Sequence, residues 1–367
     1  MNRRQFLASS AAAALLPSVA SAQAKASDGA IRGVNLGGWL ALEKWISPAV
    51  YAGMEAEDEY TLCQKLGRSR AADRLKRHRE TWITEQDFAW LGERGINSVR
   101  LPVNYGVAEE NLPFVPAWDT VEFAFRTAAK RGIRVLLDLH GAPGSQNGWD
   151  HSGRAGTLGW HRDPANVAHT IRIVEDLAAR CKAFDNLLGI ELLNEPRWDV
   201  PMDVLKSYYQ QGYARVRKHL PAERAAVVIN DGFRPLEWAG FMQEPEYRNV
   251  LLDTHMYQCY TDEDRKRDGR QQVSFALLDR RKQLDAMQKQ LPCIVGEWSC
   301  ALDPASLKGL KGFDERMAVR AFGDAQLMTY GSTRGWFFWT YKTAGGGGWS
   351  FRDCVQRGAM PDRYGAA

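Results

Sequence analysis

Leu187-Leu-Gly-Ile-Glu-Leu-Leu-Asn194, followed by Glu195-Pro196, sets an apolar run of strand length directly before a carboxylate. Such a run fits a strand buried on both faces, and Pro196 forbids its continuation as a central strand. Working outward, seven more β-branched or aliphatic runs recur in step, at 31–36, 98–103 and 134–140 before it and at 225–230, 250–257, 293–298 and 335–341 after it. Amphipathic stretches lie between them, among them 85–95, 118–132, 167–184 and 204–220. Apolar strands alternating with helices imply a parallel sheet covered on its outer face, and eight such units imply closure into a (β/α)8 barrel. Arg94-Gly95-Ile96 and Arg131-Gly132-Ile133 read as helix C-caps, glycine taking the left-handed conformation before the next strand. No composition break marks a second domain, so 25–367 is expected to form a single α/β unit, a (β/α)8 TIM barrel.

Residues 1–24 read as a targeting segment that plays no part in the fold: Arg3-Arg4, Phe6-Leu7, an Ala/Leu stretch, then Ala20-Ser21-Ala22. The paired arginines before Phe-Leu resemble a twin-arginine signal, so export to the periplasm or the outside is expected. The apolar run is too short for a membrane span, which needs about 20 residues. A net charge of +4 from 48 basic and 44 acidic residues is too balanced to imply a nucleic-acid partner. The basic run from Arg68 to Arg79 is expected to be a solvated helix face. None of the six cysteines falls in a CxxC pair, so no structural zinc is expected. Buried thiols are expected instead, with Cys300 and Cys354 as the candidate bridge. A monomer without metal or cofactor completes the expectation.

Polar and aromatic residues gather at the C-terminal ends of the runs: Asn35, Arg100, Asn104, Asp138, His140, Asn194, Glu195, Asn230, Asp231, His255, Tyr257, Glu297, Trp298 and Trp339. In a (β/α)8 barrel those ends form the active face. Glycoside hydrolysis needs one group to protonate the leaving oxygen and a second carboxylate to attack the anomeric carbon or activate water. Glu195, in Leu-Leu-Asn-Glu-Pro, and Glu297, in Ile-Val-Gly-Glu-Trp, each follow an apolar strand. Strands four and seven reach the barrel mouth from opposite sides, so the two carboxylates are expected to face each other across a sugar. Arg100 and Tyr257 suit a nucleophilic Glu297, because a neighbouring cation or donor keeps a carboxylate ionised. Asn194 suits a sugar 2-hydroxyl, and His140 and His255 suit sugar hydroxyls or the tuning of Glu195, whose pKa is expected to rise. Trp39, Trp45, Trp149, Trp298, Trp339 and Trp349 fall in loops of the active face, and Trp149 and Trp339 are the favoured sugar platforms.

Several stretches together resemble glycoside hydrolase family 5, and within it the fungal-type exo-β-1,3-glucanases. They are Arg32-Gly-Val-Asn-Leu-Gly-Gly-Trp-Leu40, Asp58-Glu-Tyr-Thr-Leu-Cys63, Thr81-Trp-Ile-Thr-Glu-Gln-Asp-Phe88, Asp138-Leu-His-Gly-Ala-Pro-Gly-Ser-Gln-Asn-Gly148, Gly189-Ile-Glu-Leu-Leu-Asn-Glu-Pro196, Gly296-Glu-Trp-Ser299 and Gly335-Trp-Phe-Phe-Trp339. The resemblance implies metal-free double displacement, releasing glucose from non-reducing ends of β-1,3-glucans, with transglycosylation as a further outcome. It implies a glucose subsite of Glu43, Arg100, His140, Asn194, Glu195, Tyr257, Glu297 and Trp339, a sugar-binding Asp150, and an entrance pair Trp149 and Tyr260. The fungal pattern usually has Phe and Asn where this chain has Trp149 and His151, and Phe in place of Tyr260. Three other readings remain open: a relative acting on β-1,4- or β-1,6-glucan or on small β-glucosides, a metal-dependent barrel hydrolase prompted by Asp138, His140 and His255, and a carbohydrate-binding barrel without turnover.

Overall fold

Parallel pairing in sequence order joins β1 (Ile31–Asn35), β2 (Ser98–Asn104), β3 (Arg134–Gly141), β4 (Leu187–Glu191), β5 (Ala226–Asn230), β6 (Val250–His255), β7 (Cys293–Glu297) and β8 (Gly335–Phe338), and β8 closes back on β1. This computed structural model describes residues 29–110 and 112–365, so the leader read at 1–24 lies outside the described residues. All eight expected strands are present in the expected order. β4, β6 and β8 stop short of the apolar runs that announce them, because the chain leaves the ladder to aim side chains into the mouth. Leu192 still donates to Val228 and Asn194 to Leu139, so this departure is hydrogen-bonded rather than loose.

Side chains alternate along each strand, as a pleated backbone requires. Leu136 joins Ile31, Val228, Leu251, Ile294 and Phe337 in a cluster that fills the barrel centre. Its neighbours Val135 and Leu137 belong to the larger cluster between sheet and helices, with Val121, Phe125 and Ala128 of the helix Trp118–Ala129 and Val174 and Leu177 of Pro164–Cys181. Gly95 and Gly132 end their helices at φ 77° and 67°, as the capping pattern predicts.

Between β1 and β2 the helices Glu59–Leu66 and Arg68–Trp82 enclose a separate small core of Leu42, Val50, Tyr51, Leu62, Leu66 and Leu75. The second helix carries the basic run, and most of its charges are solvated. Arg79 departs from that expectation: it is buried and donates to the carbonyls of Val115 and Pro116, holding the loop before Trp118. The expected thiol pair also differs. All six cysteines are free and five are buried, Cys259 being intermediate. Cys300 and Cys354 lie thiol against thiol without a bond. No helix among the described residues is long and apolar enough to cross a membrane.

Phe337 can fill the barrel centre only because position 33 lacks a side chain: a Cβ there would lie 2.2 Å from Phe337 Cδ1. Gly33→Ala is therefore expected to lower unfolding free energy by about 1–3 kcal/mol, and Phe337→Leu in the same chain to recover most of it. Denaturant unfolding of the single and double variants measures this; additive losses would mean that the two positions do not compete for space.

Candidate active site

Arg100 sits in the middle of β2 rather than at its end, but barrel stagger puts it level with Asn35, the last residue of β1. Its guanidinium is fully buried and grips Glu191 through two bonds, Nε to Oε2 at 2.7 Å and Nη2 to Oε1 at 3.0 Å. The remaining hydrogens go to Asn35 Oδ1 at 3.0 Å, Asn194 Oδ1 at 2.7 Å and Glu297 Oε1 at 3.0 Å. Asp138 Oδ2 stands 3.2 Å away and Asp253 Oδ2 4.0 Å away. One cation thus opposes, without cancelling, the burial that pushes Glu191 up and carries Asp138 to about 7 and Asp253 to about 6.

Above this floor Glu297 accepts from Tyr257 at 2.7 Å as well as from Arg100. Glu195 follows β4 in a left-handed backbone conformation, φ 42°, which a non-glycine residue adopts only when its surroundings impose it. Gln146 donates to the Asn194 carbonyl at 2.8 Å and Asn147 to the Glu195 carbonyl at 3.2 Å, so the loop after β3 supplies the restraint. Oxygen atoms of Glu195 and Glu297 and a ring nitrogen of His255 all lie within 4.8 Å of one another. His255 Nδ1 is 2.6 Å from Glu195 Oε1 and 3.4 Å from Glu297 Oε2. On its other side Nε2 stands 3.4 Å from Asp253 Oδ2, while Asp253 Oδ1 accepts from the Gly296 amide at 2.6 Å.

The expected rise in the Glu195 pKa is not what the site produces. Burial raises it, but His255, His151 and His140 outweigh burial and hold the carboxyl down at about 2. Burial disfavours the His255 cation too, yet Glu297, Asp253 and Glu195 raise that ring well above its usual value. Burial pushes Glu297 up toward about 8, opposed chiefly by His255 and also by Arg100 and Tyr257. The three groups share their proton. Both Glu297 oxygens already face fixed donors, so that proton rests on the Glu195 and His255 side.

The other expected site residues converge on the same mouth. His140 gives its Nδ1 side to Asp138 at 2.6 Å and stacks on Trp339, rings 4° from parallel at 5.5 Å. Glu43 is buried and raised well above its usual pKa, first by burial and then by Asp150; it accepts from Trp45 at 2.8 Å through Oε2. Its Oε1 has no hydrogen-bond partner among the described residues. Two aromatic groups form the rim: Trp149 with Trp198 and Phe233, and Tyr260 with Tyr257 and Trp349. Trp39 and Trp298 are core residues with no exposure.

Sequence reading missed Glu191, Asp253, Trp198 and Phe233. A charge inside an apolar strand, as in Leu-Gly-Ile-Glu191-Leu, was the available signal for the first two. Two acidic and histidine groups have spacing suited to a cation, Glu191 with Asp253 and His255, and Glu195 with His255 and Glu297. In the first, Arg100 already supplies the positive charge; in the second, His255 does. A cavity of about 900 Å³ at the opposite end of the strands, lined by Ile31, Arg134, Leu187, Ala226, Leu251 and Arg334 among others, contains none of these residues.

A (β/α)8 barrel with two close carboxylates at the strand ends, one held by arginine and tyrosine and one by histidine, defines a glycoside hydrolase. The chain belongs to glycosyl hydrolase family 5: the family described as cellulase (glycosyl hydrolase family 5) matches residues 69–344. It is 39% identical to a probable glucan 1,3-beta-glucosidase A of Emericella nidulans, over 90% of this chain and 90% of that one. It is 38% identical to a glucan 1,3-beta-glucosidase of Blumeria graminis, over 90% of this chain and 86% of that one. In fold it is similar to the crystal structure of rutinosidase from Aspergillus niger, with TM-score 0.76 and 23% identity over 90% of this chain and 98% of that one.

Replacing Arg100 by Met strands Glu191, Asp138 and Glu297 without their cation, and is expected to cost about 3–5 kcal/mol of stability. Arg100→Lys, which keeps the charge but not the two-pronged bond to Glu191, should fall between. Equilibrium unfolding is the measurement; an Arg100→Met protein as stable as the parent would mean that the acids are held by other groups.

Proposed function

We propose that this enzyme removes glucose from the non-reducing ends of β-1,3-glucans with net retention, using Glu297 as nucleophile and Glu195 as acid and base. The observation that carries the reading is the approach of the two carboxylates to within 4.8 Å across His255. Nearest oxygens this close favour direct attack on the anomeric carbon, for which carboxyl groups stand about 5–5.5 Å apart, over the roughly 6.5–9.5 Å of an inverting site. The linkage is supported by the names of relatives that cover about nine-tenths of the chain.

In the first step a Glu297 oxygen bonds to the anomeric carbon as the glycosidic C–O bond breaks, and Glu195 passes the proton it shares with His255 to the departing oxygen. His255, Arg100 and Tyr257 oppose the rise that burial imposes on Glu297 and so favour the ionised form that attacks. In the second step Glu195 takes a proton from water as that water's oxygen displaces Glu297 from the sugar. Asn194, held by Arg100, takes the sugar 2-hydroxyl, and Glu43 Oε1, which has no partner among the described residues, takes another hydroxyl of the same ring. His140 and Asp150 serve the same ring, and Trp339, braced by His140, is its platform.

The rim aromatics Trp149 and Tyr260 suit the next sugar of the chain, because flat sugar faces stack on exposed rings. An acceptor sugar held there competes with water, which makes transglycosylation a second outcome of the same intermediate. The leader at 1–24 supports export by the twin-arginine route to the periplasm or beyond.

Glu297→Gly should lose hydrolysis yet regain turnover of an aryl β-glucoside with azide or formate, giving the α-product. Glu195→Ala should slow substrates with poor leaving groups roughly 100- to 10,000-fold and spare the first step on good ones. Parent-like turnover by Glu297→Gly would remove the nucleophile assignment. Time-resolved product analysis on laminarin, with pustulan and carboxymethyl cellulose alongside, tests linkage and mode: early glucose alone is expected, and preferential cleavage of either alternative polymer would overturn the β-1,3 reading.

A further inference from the structure

Glu195 has two histidines, not one. His255 takes Oε1, whereas Oε2 has His151 Nε2 at 3.4 Å. His151 lies in the short turn Asp150–Ser152, where the fungal pattern carries Asn. The turn is fixed by Ser152 Oγ, which donates to the Trp149 carbonyl at 2.7 Å and meets Ser145 Oγ at 2.6 Å. The ring itself is held between His140, at 5.2 Å, and Trp149, at 5.5 Å. Its Nδ1 is buried with no hydrogen-bond partner among the described residues, so the nitrogen that has a task is Nε2.

We infer that His151 is a positioning residue for the acid/base, its Nε2–H facing Glu195 Oε2 at ion-pair distance so that Glu195 meets an imidazole at each of its oxygens. This rests on the reading of Glu195 as acid and base. Burial holds the His151 pKa down at about 4, so the ring is neutral near pH 7. A neutral ring with its lone pair toward a carboxylate would be repelled, whereas the Nε2–H tautomer is attracted. The consequence differs between the two steps. A donor at Oε2 favours the carboxylate, which is the form that takes a proton from water in the second step, and it disfavours the protonated form needed in the first.

Other groups face the same carboxylate. His255 comes from β6, His140 and Asp138 from β3, Glu297 from β7 and Glu43 from the segment after β1. Tyr257 and Tyr260 lie within its electrostatic reach, and Asp150 faces His151 from the same turn. All of these side chains remain when His151 is replaced.

Amide side chains separate the two ring nitrogens, since Gln places its NH2 near imidazole Nε2 and Asn near Nδ1. The test is the pH profile of kcat/KM for phenyl β-glucoside, a poor leaving group, in the parent, His151→Ala, His151→Asn, His151→Gln and Glu195→Gln. Loss of the donor raises the affinity of the Glu195–His255 pair for the proton it shares, so the alkaline limb should move up by about one pH unit in His151→Ala and His151→Asn. It should stay near the parent position in His151→Gln, which also controls for a merely structural role. An alkaline limb that vanishes in Glu195→Gln but does not move in His151→Ala would overturn this inference alone, as would equal displacement in the Asn and Gln variants. A limb that survives in Glu195→Gln would overturn the acid/base reading, and this inference with it.

Discussion

A guanidinium with no access to water has to find an acceptor for every hydrogen, and Arg100 finds them on strands that are far apart in sequence. Asn35 comes from β1, Glu191 from β4 with Asn194 just beyond it, and Glu297 from β7. A one-residue slip of β2 would turn Arg100 out of the barrel and leave the acids inside it unpaired. Buried ion clusters are weak sources of net stability, because desolvation consumes most of the attraction. What this one supplies is register, and the same contacts fix one oxygen of the nucleophile.

Floor and rim therefore follow different rules. In the floor, Asp138, Glu191 and Asp253 are completely buried, and each alters the charge felt by its neighbours. No single residue there can change without a compensating change nearby. At the rim, Trp198 and Tyr260 are more than half exposed and touch mainly other aromatics. They can vary singly, at the cost of contact area rather than of a stranded charge. Chemistry and substrate preference are in this way assigned to different layers.

The barrel was readable in the sequence because apolar strands buried on both faces leave an unmistakable rhythm, and the catalytic pair because each glutamate ends one of those runs. Strand ends were read too long at β4, β6 and β8, since apolar residues continue after the ladder stops. The expected rise of the Glu195 pKa rests on what an acid must do; the sequence offers His140 and His255 to tune it but not the sign, which is set by three histidines converging from separate elements. Glu191 and Asp253 were passed over as parts of strands. Trp198 and Phe233 were missed because nothing in a local pattern says that two loops will meet beside Trp149.

The backbone of Glu195 is held in its left-handed pose by Gln146 and Asn147, which belong to a different βα loop. Neither the strand that carries the glutamate nor the proline after it can impose that pose by itself. A barrel whose sheet has closed but whose 141–153 loop has not yet docked would have its helices and strands in place and no working acid. In that sense the acid belongs to two loops at once, and a change confined to the loop after β3 can silence it without touching the strand that precedes it.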